Sequence, residues 1–374
     1  MKWRTDKPST VSLVVLALLS VLVFVAAEET ARPERQPNFE KKLQAAKLAL
    51  IGREAIKSYS RTLGFGVDIQ NDPYRTGIIG QERTPVTSDR GIVTSKILTT
   101  NPNFAAAFVE LLLKAKVRKN SQIAVGMTGS FPGWNIAFLA ACTALDVKPA
   151  IITSVGSSDW GANLPALTWL DMERVLHERG VFPFSSAAAS IGGGADHGRG
   201  LSPEGRDLIR EAIARNSIRL VEESTLEKSI ARRMELYKEL AGGKPYTCYV
   251  NIGGGVASVG GSQNARLVPP GLSQHLAVKN FPVRAVINQF AEQGIPVINL
   301  SNVEAIAEQF GMPVEVEDVE PELGEGPLFF KDRYSISSTV GLTLLLAIAV
   351  FVVMRIDIRH YLVRRRPPSI ETGP

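Results

Sequence analysis

Two uncharged apolar runs, one near each end, constrain this chain more than any other feature. Thr10 to Ala27 reads TVSLVVLALLSVLVFVAA, and Tyr334 to Met354 is uncharged for 21 residues. At about 1.5 Å of rise per residue, a helix of either length nearly crosses or fully crosses a hydrocarbon core of about 30 Å. Lys2, Arg4 and Lys7 precede the first run, and Arg355, Arg359, Arg364, Arg365 and Arg366 follow the second. Glu28 and Glu29 lie on the opposite side of the first run. Basic flanks stay on the cytoplasmic side, so both termini are expected there and residues 28–333 outside. The expected organisation is a cytoplasmic N-terminus (1–9), two spans (10–27 and 334–354), an extracytoplasmic domain (28–333) and a basic cytoplasmic tail (355–374). Val25-Ala26-Ala27 also fits a signal-peptide cleavage site, although the apolar stretch exceeds the usual apolar core of about 7–15 residues. The domain is exported on either reading.

The same topology accounts for the basic isoelectric point near 9.1. The net charge of +5 resides in the two terminal segments, and the region between them is formally neutral. A nucleic-acid partner is therefore not expected. Within the domain, Glu315, Glu317, Asp318, Glu320, Glu322 and Glu325 form an acidic stretch without a basic residue, read as a stalk over 315–327. The remainder is modestly basic, which favours an anionic ligand or simply a solvated surface.

Alternating strand and helix patterns from Asn103 onward argue an α/β fold, a mostly parallel sheet with flanking helices in Rossmann-like βαβ units, in one or two lobes. Strands are expected near 122–127, 150–155, 186–191, 246–252 and 295–300. Helices are expected over 39–59, 103–117, 134–145, 164–178, 203–215, 224–241, 283–293 and 302–310. Ser202 followed by Pro203 is a helix start signal. Residues 64–102, rich in Gly, Pro, Asn, Asp and Thr, read as an extended segment with short strands. Cys142 and Cys248, both in the exported part, are compatible with a disulfide or with buried thiols. The four histidines are too scattered for a metal site, and no cofactor is implied.

Candidate chemistry sits in loops that follow strands. Gly126-Met127-Thr128-Gly129-Ser130-Phe131-Pro132-Gly133 joins a strand to a helix, where glycines permit close approach and helix amides with the Thr128 and Ser130 hydroxyls suit an anion. A tight βα turn needs the same glycines. The loop is neither GxGxxG nor a Walker A motif nor a GxSxG elbow. The next strand leads to Ser158-Asp159-Trp160-Gly161-Ala162-Asn163, in which Asp159 is a candidate acid or base, or a cap, and Ser158 and Asn163 are candidate ligand contacts. Two further loops carry Gly193, Gly194, Asp196, His197 and Arg199, and Gly254, Gly255 and Ser258. Arg199 offers a bidentate grip on carboxylate. Ser130 or Ser258 with His197 and Asp159 supplies the members of a Ser-His-Asp set, whose geometry the sequence does not specify. Asp159, Asp196 and His197 are thus the catalytic candidates, and the opposing reading of the histidine loop is a mobile segment. Trp134, Trp160 and Trp169 suit core or cleft-wall positions.

Together the stretches Gly77-Ile-Ile-Gly-Gln-Glu-Arg-Thr-Pro-Val-Thr, Thr100-Asn-Pro-Asn-Phe-Ala-Ala, Gly129-Ser-Phe-Pro, Ser158-Asp-Trp-Gly-Ala-Asn, Thr168-Trp-Leu-Asp-Met-Glu and the paired Ile-Gly-Gly-Gly segments resemble the poly-gamma-glutamate system proteins. These are bacterial membrane proteins that accompany the synthesis and export of that polymer. The family has Ser-Gly-Ser-Phe-Pro where this chain has Thr128, which retains the hydroxyl. The resemblance implies partners: a cytoplasmic amide ligase, an integral membrane subunit, the anionic polymer and the lipid bilayer. It carries over no catalytic residue, and the chain lacks a P-loop for ligase chemistry. Three functions follow as expectations: an accessory that binds or guides the polymer, a hydrolase or transferase acting on it, or an assembly scaffold.

Overall fold

A computed structural model describes residues 10–277 and 279–355. The expected 1–9 and most of the 355–374 segment lie outside the described residues. The chain divides into two units, one of residues 36–329 and one formed by the segments on either side of it.

The larger unit is built on seven strands: β1 (Gln122–Thr128), β2 (Lys148–Ser154), β3 (Ala188–Ser190), β4 (Arg219–Val221), β5 (Tyr249–Ile252), β6 (Gly271–Ser273) and β7 (Val297–Leu300). Their order across the sheet is β6-β7-β5-β1-β2-β3-β4. All neighbours are parallel except β6, which runs antiparallel to β7 along the edge. Central parallel strands are covered on both faces, so they read as continuous apolar runs rather than alternating ones. Ile123, Ala124 and Val125 of β1 and Val250 of β5 are accordingly all inaccessible.

Helices cover both faces. On one, Phe39–Thr62 packs against Phe104–Lys114 and Pro132–Leu145, and also meets Trp169–Glu178. Trp134 sits at the centre of this layer, 5.3 Å from the Phe104 ring and 5.6 Å from Phe108. Opposite, Leu226–Ala241 and Val286–Glu292, carrying Tyr237 and Phe290, close over Ala124, Ile152 and Tyr249. The result is a three-layer α/β sheet sandwich, the fold class expected.

Local signals account for much of the detail. Ser202 caps Pro203–Arg215 by accepting from the Gly205 amide at 3.0 Å, and Thr168 and Asp171 form a reciprocal capping box. The latter starts the helix at Trp169 rather than near 164. Residues 163–164 and 167–168 instead form a tight antiparallel pair. The edge strands β4 and β6, three residues each, were not expected. Neither was the helix Val93–Thr99, inside the segment read as extended.

The acidic 315–327 stretch differs from the expected stalk. Rather than a free stalk, it lies on the domain: Glu320 pairs with the buried guanidinium of Arg53, and the Tyr74 hydroxyl joins the backbone of Glu317 at 3.0 Å. Asn103 donates to the Glu322 carbonyl at 2.8 Å and accepts from the Gly324 amide at 3.0 Å. Cys142 and Cys248 are buried free thiols.

The second unit contains the helices Thr10–Glu28 and Ile336–Arg355, which pack against each other. The strands Arg32–Arg35 and Phe330–Arg333 pair antiparallel beside them. Both helices are long and apolar enough to cross a membrane, and only 6% of either apolar window is buried.

Candidate functional site

The direction of connection reverses beside β1. From β1 the chain moves to β2 on one side, whereas β5 adjoins β1 on the other side and continues toward β7. Open α/β sheets bind ligands at the carboxyl edge of such a switch point. Here the two loops touch. Gly253 has φ +90°, and a Cβ on it would overlap the Thr128 hydroxyl, so only glycine admits this approach. Gly255 lies against Thr128 and Ser154, while space opens beside Gly254.

The neighbouring loops continue the row. Ser157 Oγ donates to the Gly129 carbonyl at 3.0 Å, the Ser158 amide to Ser130 Oγ at 3.1 Å, and the Ala162 amide to the Gly129 carbonyl at 2.8 Å. The Gly156 amide then donates to the Ile191 carbonyl at 2.8 Å, which leads into the histidine loop. All four sequence-derived loops therefore line one edge in the order 253–258, 126–133, 157–163 and 192–200.

Several candidates in them hold the fold. Asn163, fully buried, accepts from the Gln81 amide and donates to the Gln81 carbonyl and Thr87 hydroxyl at 3.0, 2.7 and 3.0 Å. Ser258 donates to Asn251 Oδ1 at 2.6 Å and also meets the Tyr249 hydroxyl beneath β1. Asp196 receives Ser190 Oγ at 2.7 Å, Ser229 Oγ at 2.5 Å and the Nε and Nη2 groups along one edge of the Arg233 guanidinium. That pair is shut from water. The loop around it carries bridges from Gly192 to His197 and from Gly194 to Arg199.

Among the described residues no hydrogen bonds join a serine, His197 and an aspartate into a Ser-His-Asp set. Asp159 is committed to Arg83 Nη2 at 3.4 Å and the Gly91 amide at 3.1 Å, Ser258 to Asn251, and Asp196 to Arg233. His197 is half-buried, and its Nδ1 has no hydrogen-bond partner among the described residues. Arg199 stays exposed. Trp134 and Trp169 are core residues.

The residues that complete the edge come from the 64–102 segment, expected to be extended with short strands. Thr87–Asp89 adds a short strand in register with Ser157 and Ser158. Beside it is a cavity of about 360 Å³ whose lining includes Arg83, Thr84, Ser88, Asp89, Arg90 and Ser202. Further along, Lys96 is 2% exposed. Its ammonium donates to the Ser130 carbonyl and to Ser158 Oγ, the latter at 2.6 Å, and lies 4.2 Å from the Phe131 ring centroid. Burial pulls the Lys96 ammonium down to about 7, opposed by the negative charges of Asp159 and Asp89. Among the described residues no cluster of His, Cys, Asp and Glu is arranged to hold a metal ion.

No family model matches the chain, and no curated protein does. Among solved structures, an archaeal alanine:glyoxylate aminotransferase aligns over 96% of this chain at 10% identity and a TM-score of 0.18. This chain covers 65% of that protein's length. A correspondence this weak says nothing about fold or activity here.

Proposed function

We propose that this chain is a membrane-anchored accessory component of poly-gamma-glutamate synthesis or export, and that its α/β unit holds the anionic polymer at the carboxyl edge of the sheet, outside the cytoplasm. The observation that carries this reading is the cavity in which Arg83 and Arg90 stand among the hydroxyls of Thr84, Ser88 and Ser202. A polymer with one carboxylate per residue presents repeated planar acceptors, the partner for which a guanidinium fork is suited. The Arg83 side chain is 65% exposed, so it can turn to a ligand while Asp159 is retained by the Gly91 amide. Asp89 on the same wall limits the pull on any lone anion and favours a ligand that spans several contacts.

The two terminal helices support anchoring by their length and composition, and the basic residues beyond them support cytoplasmic termini. In this reading the helices meet the integral synthase subunit and the short cytoplasmic ends meet the ligase.

Full-length protein in lipid nanodiscs, titrated with fluorescent poly-gamma-glutamate, tests the proposal. Binding is expected at low ionic strength and should weaken as salt screens the charges. Combining Arg83→Ala with Arg90→Ala should reduce affinity about tenfold or more, as expected for loss of charge-assisted contacts. No binding at low salt, or unchanged binding by the double variant, overturns it.

A further inference from the structure

The contact between Lys96 and Ser158 has the composition of a reactive pair. Lys96 Nζ stands 2.6 Å from Ser158 Oγ. The same nitrogen is fixed by the Ser130 carbonyl, and its hydrocarbon stem lies under Gly91, where an added Cβ would come within 3.2 Å of Lys96 Cε. Among the described residues, no carboxylate lies within ion-pairing distance of Nζ; its hydrogen-bonding neighbours are a carbonyl and a hydroxyl. A lysine serving only to neutralise a buried carboxylate would have that carboxylate as its partner. Ser158 is in turn oriented from behind, its amide held by Ser130 Oγ at 3.1 Å. It pairs in register with Asp89, a wall residue of the arginine-lined cavity. A hydroxyl is activated as a nucleophile by an adjacent base within about 2.6–3.2 Å, itself oriented by a third group. Ser158, Lys96 and the Ser130 carbonyl meet that description.

We infer that Ser158 and Lys96 form a nucleophile and general-base pair for acyl transfer, with a γ-linked amide as the substrate class. In the neutral amine form, Lys96 keeps one N–H on the Ser130 carbonyl and accepts the Ser158 hydroxyl proton on its lone pair. Ser158 Oγ attacks the amide carbonyl and forms a C–O bond. The ammonium then returns the proton to the departing nitrogen as the C–N bond breaks, leaving an ester on Ser158 and a free amine. Water, deprotonated by Lys96, attacks the ester, releases a carboxylate and restores the hydroxyl. The net change is hydrolysis of one amide by one water, without oxidant or cofactor.

The neutral amine is accessible near neutral pH because burial opposes the charge. The groups facing Lys96 that act against this are Asp159, itself paired with Arg83, and Asp89. Because the folded-state value is lowered, the reactive form grows as pH rises through about 7.

The substrate assignment rests on the polymer-binding reading, but the nucleophile does not, so the two are tested separately. A fluorophosphonate probe, which forms a phosphorus–oxygen bond with an activated serine as fluoride leaves, should label full-length protein on Ser158. Labelling should rise with pH through about 7. Ser158→Ala removes one hydroxyl and should abolish it, while Lys96→Met should slow it about 100-fold or more, the range general-base catalysis supplies. Should Lys96→Met fail to fold, Lys96→Arg retains the charge and volume and should be equally unreactive. Labelling elsewhere, an unchanged rate in the lysine variants, or no labelling at any pH from 6 to 9 overturns the pair. Polymer chain length is followed in parallel with wild type and Ser158→Ala. Labelled Ser158 with uncut polymer establishes the nucleophile and overturns the γ-linked amide; failure of polymer binding alone leaves the labelling result standing.

Discussion

Arg233 and Asp196 lie 2.9 Å apart with both side chains sealed from solvent, and the hydroxyls of Ser154, Ser190 and Ser229 complete their hydrogen bonding. This places a charged cross-brace between Leu226–Ala241, the ends of β2 and β3, and the glycine loop after β3. Removing one member of a buried, satisfied pair exposes the other charge to a low-dielectric interior, at a cost of about 3–5 kcal/mol. Asp196→Ala alone should therefore destabilise the α/β unit by that amount in urea unfolding. Combining it with Arg233→Met should recover much of the loss. Additive losses would show that the two residues act independently.

Glu173 is a second buried carboxyl, facing the Ser186 amide at 2.6 Å and the Ser186 hydroxyl at 3.1 Å. Burial pushes it up to about 7, only partly offset by those hydrogen bonds. The folded-state value is raised above the ordinary one of 4.5, so its contribution to stability is fully present below about 4.5 and is lost as pH rises through about 7. Wild type should lose on the order of 3 kcal/mol relative to Glu173→Gln between these limits. Parallel unfolding curves at pH 5 and pH 8 measure the difference, and an equal pH response in both proteins would contradict it.

The parts of the molecule that could be read from sequence are those governed by neighbours along the chain. Pro203–Arg215 was bounded at both ends because its start depends on Ser202, Pro203 and the Gly205 amide, all local. The interior strands were visible because a doubly covered parallel strand has no polar face. The three-residue strands β4 and β6 were invisible, since nothing in so short an edge differs from a loop until β3 or β7 supplies hydrogen bonds. The site divided in the same way. Glycine loops announced the carboxyl edge, but Asn163 and Ser258 were drawn into structural bonds by partners distant in sequence. Lys96 was missed because a lysine in a polar segment reads as solvated. Only the approach of the 129–131 and 157–159 loops buries it.

Arg53 and Glu320 illustrate the same point for the acidic segment, being 267 residues apart. The Arg53 guanidinium is buried and also donates to the Thr100 carbonyl at 3.3 Å, so the carboxylate is its main charge partner. Glu320→Gln should weaken the docking of residues 315–327 without unfolding the sheet. Limited proteolysis checks this: a glutamate-specific protease should cut the variant within 315–325 severalfold faster than wild type. Equal rates would mean that Tyr74 and Asn103 suffice to hold the segment.

The thiols provide a test of the core that is independent of charge pairs. Cys142 lies in the helix Pro132–Leu145, buried along its length except at Thr143, and Cys248 just before β5, and both thiols are inaccessible. Burial raises Cys142 well above the usual thiol range and pushes Cys248 up to about 12. Disulfide exchange requires the thiolate and access to it, and both are denied. The native protein should therefore leave an aromatic disulfide reagent unreacted at pH 8, and two equivalents should react after denaturation without reductant. Fewer than two would reveal a disulfide. Rapid reaction in the native state would mean that the layer between β1, β5 and Pro132–Leu145 opens, the same layer that holds Thr128 against Gly253.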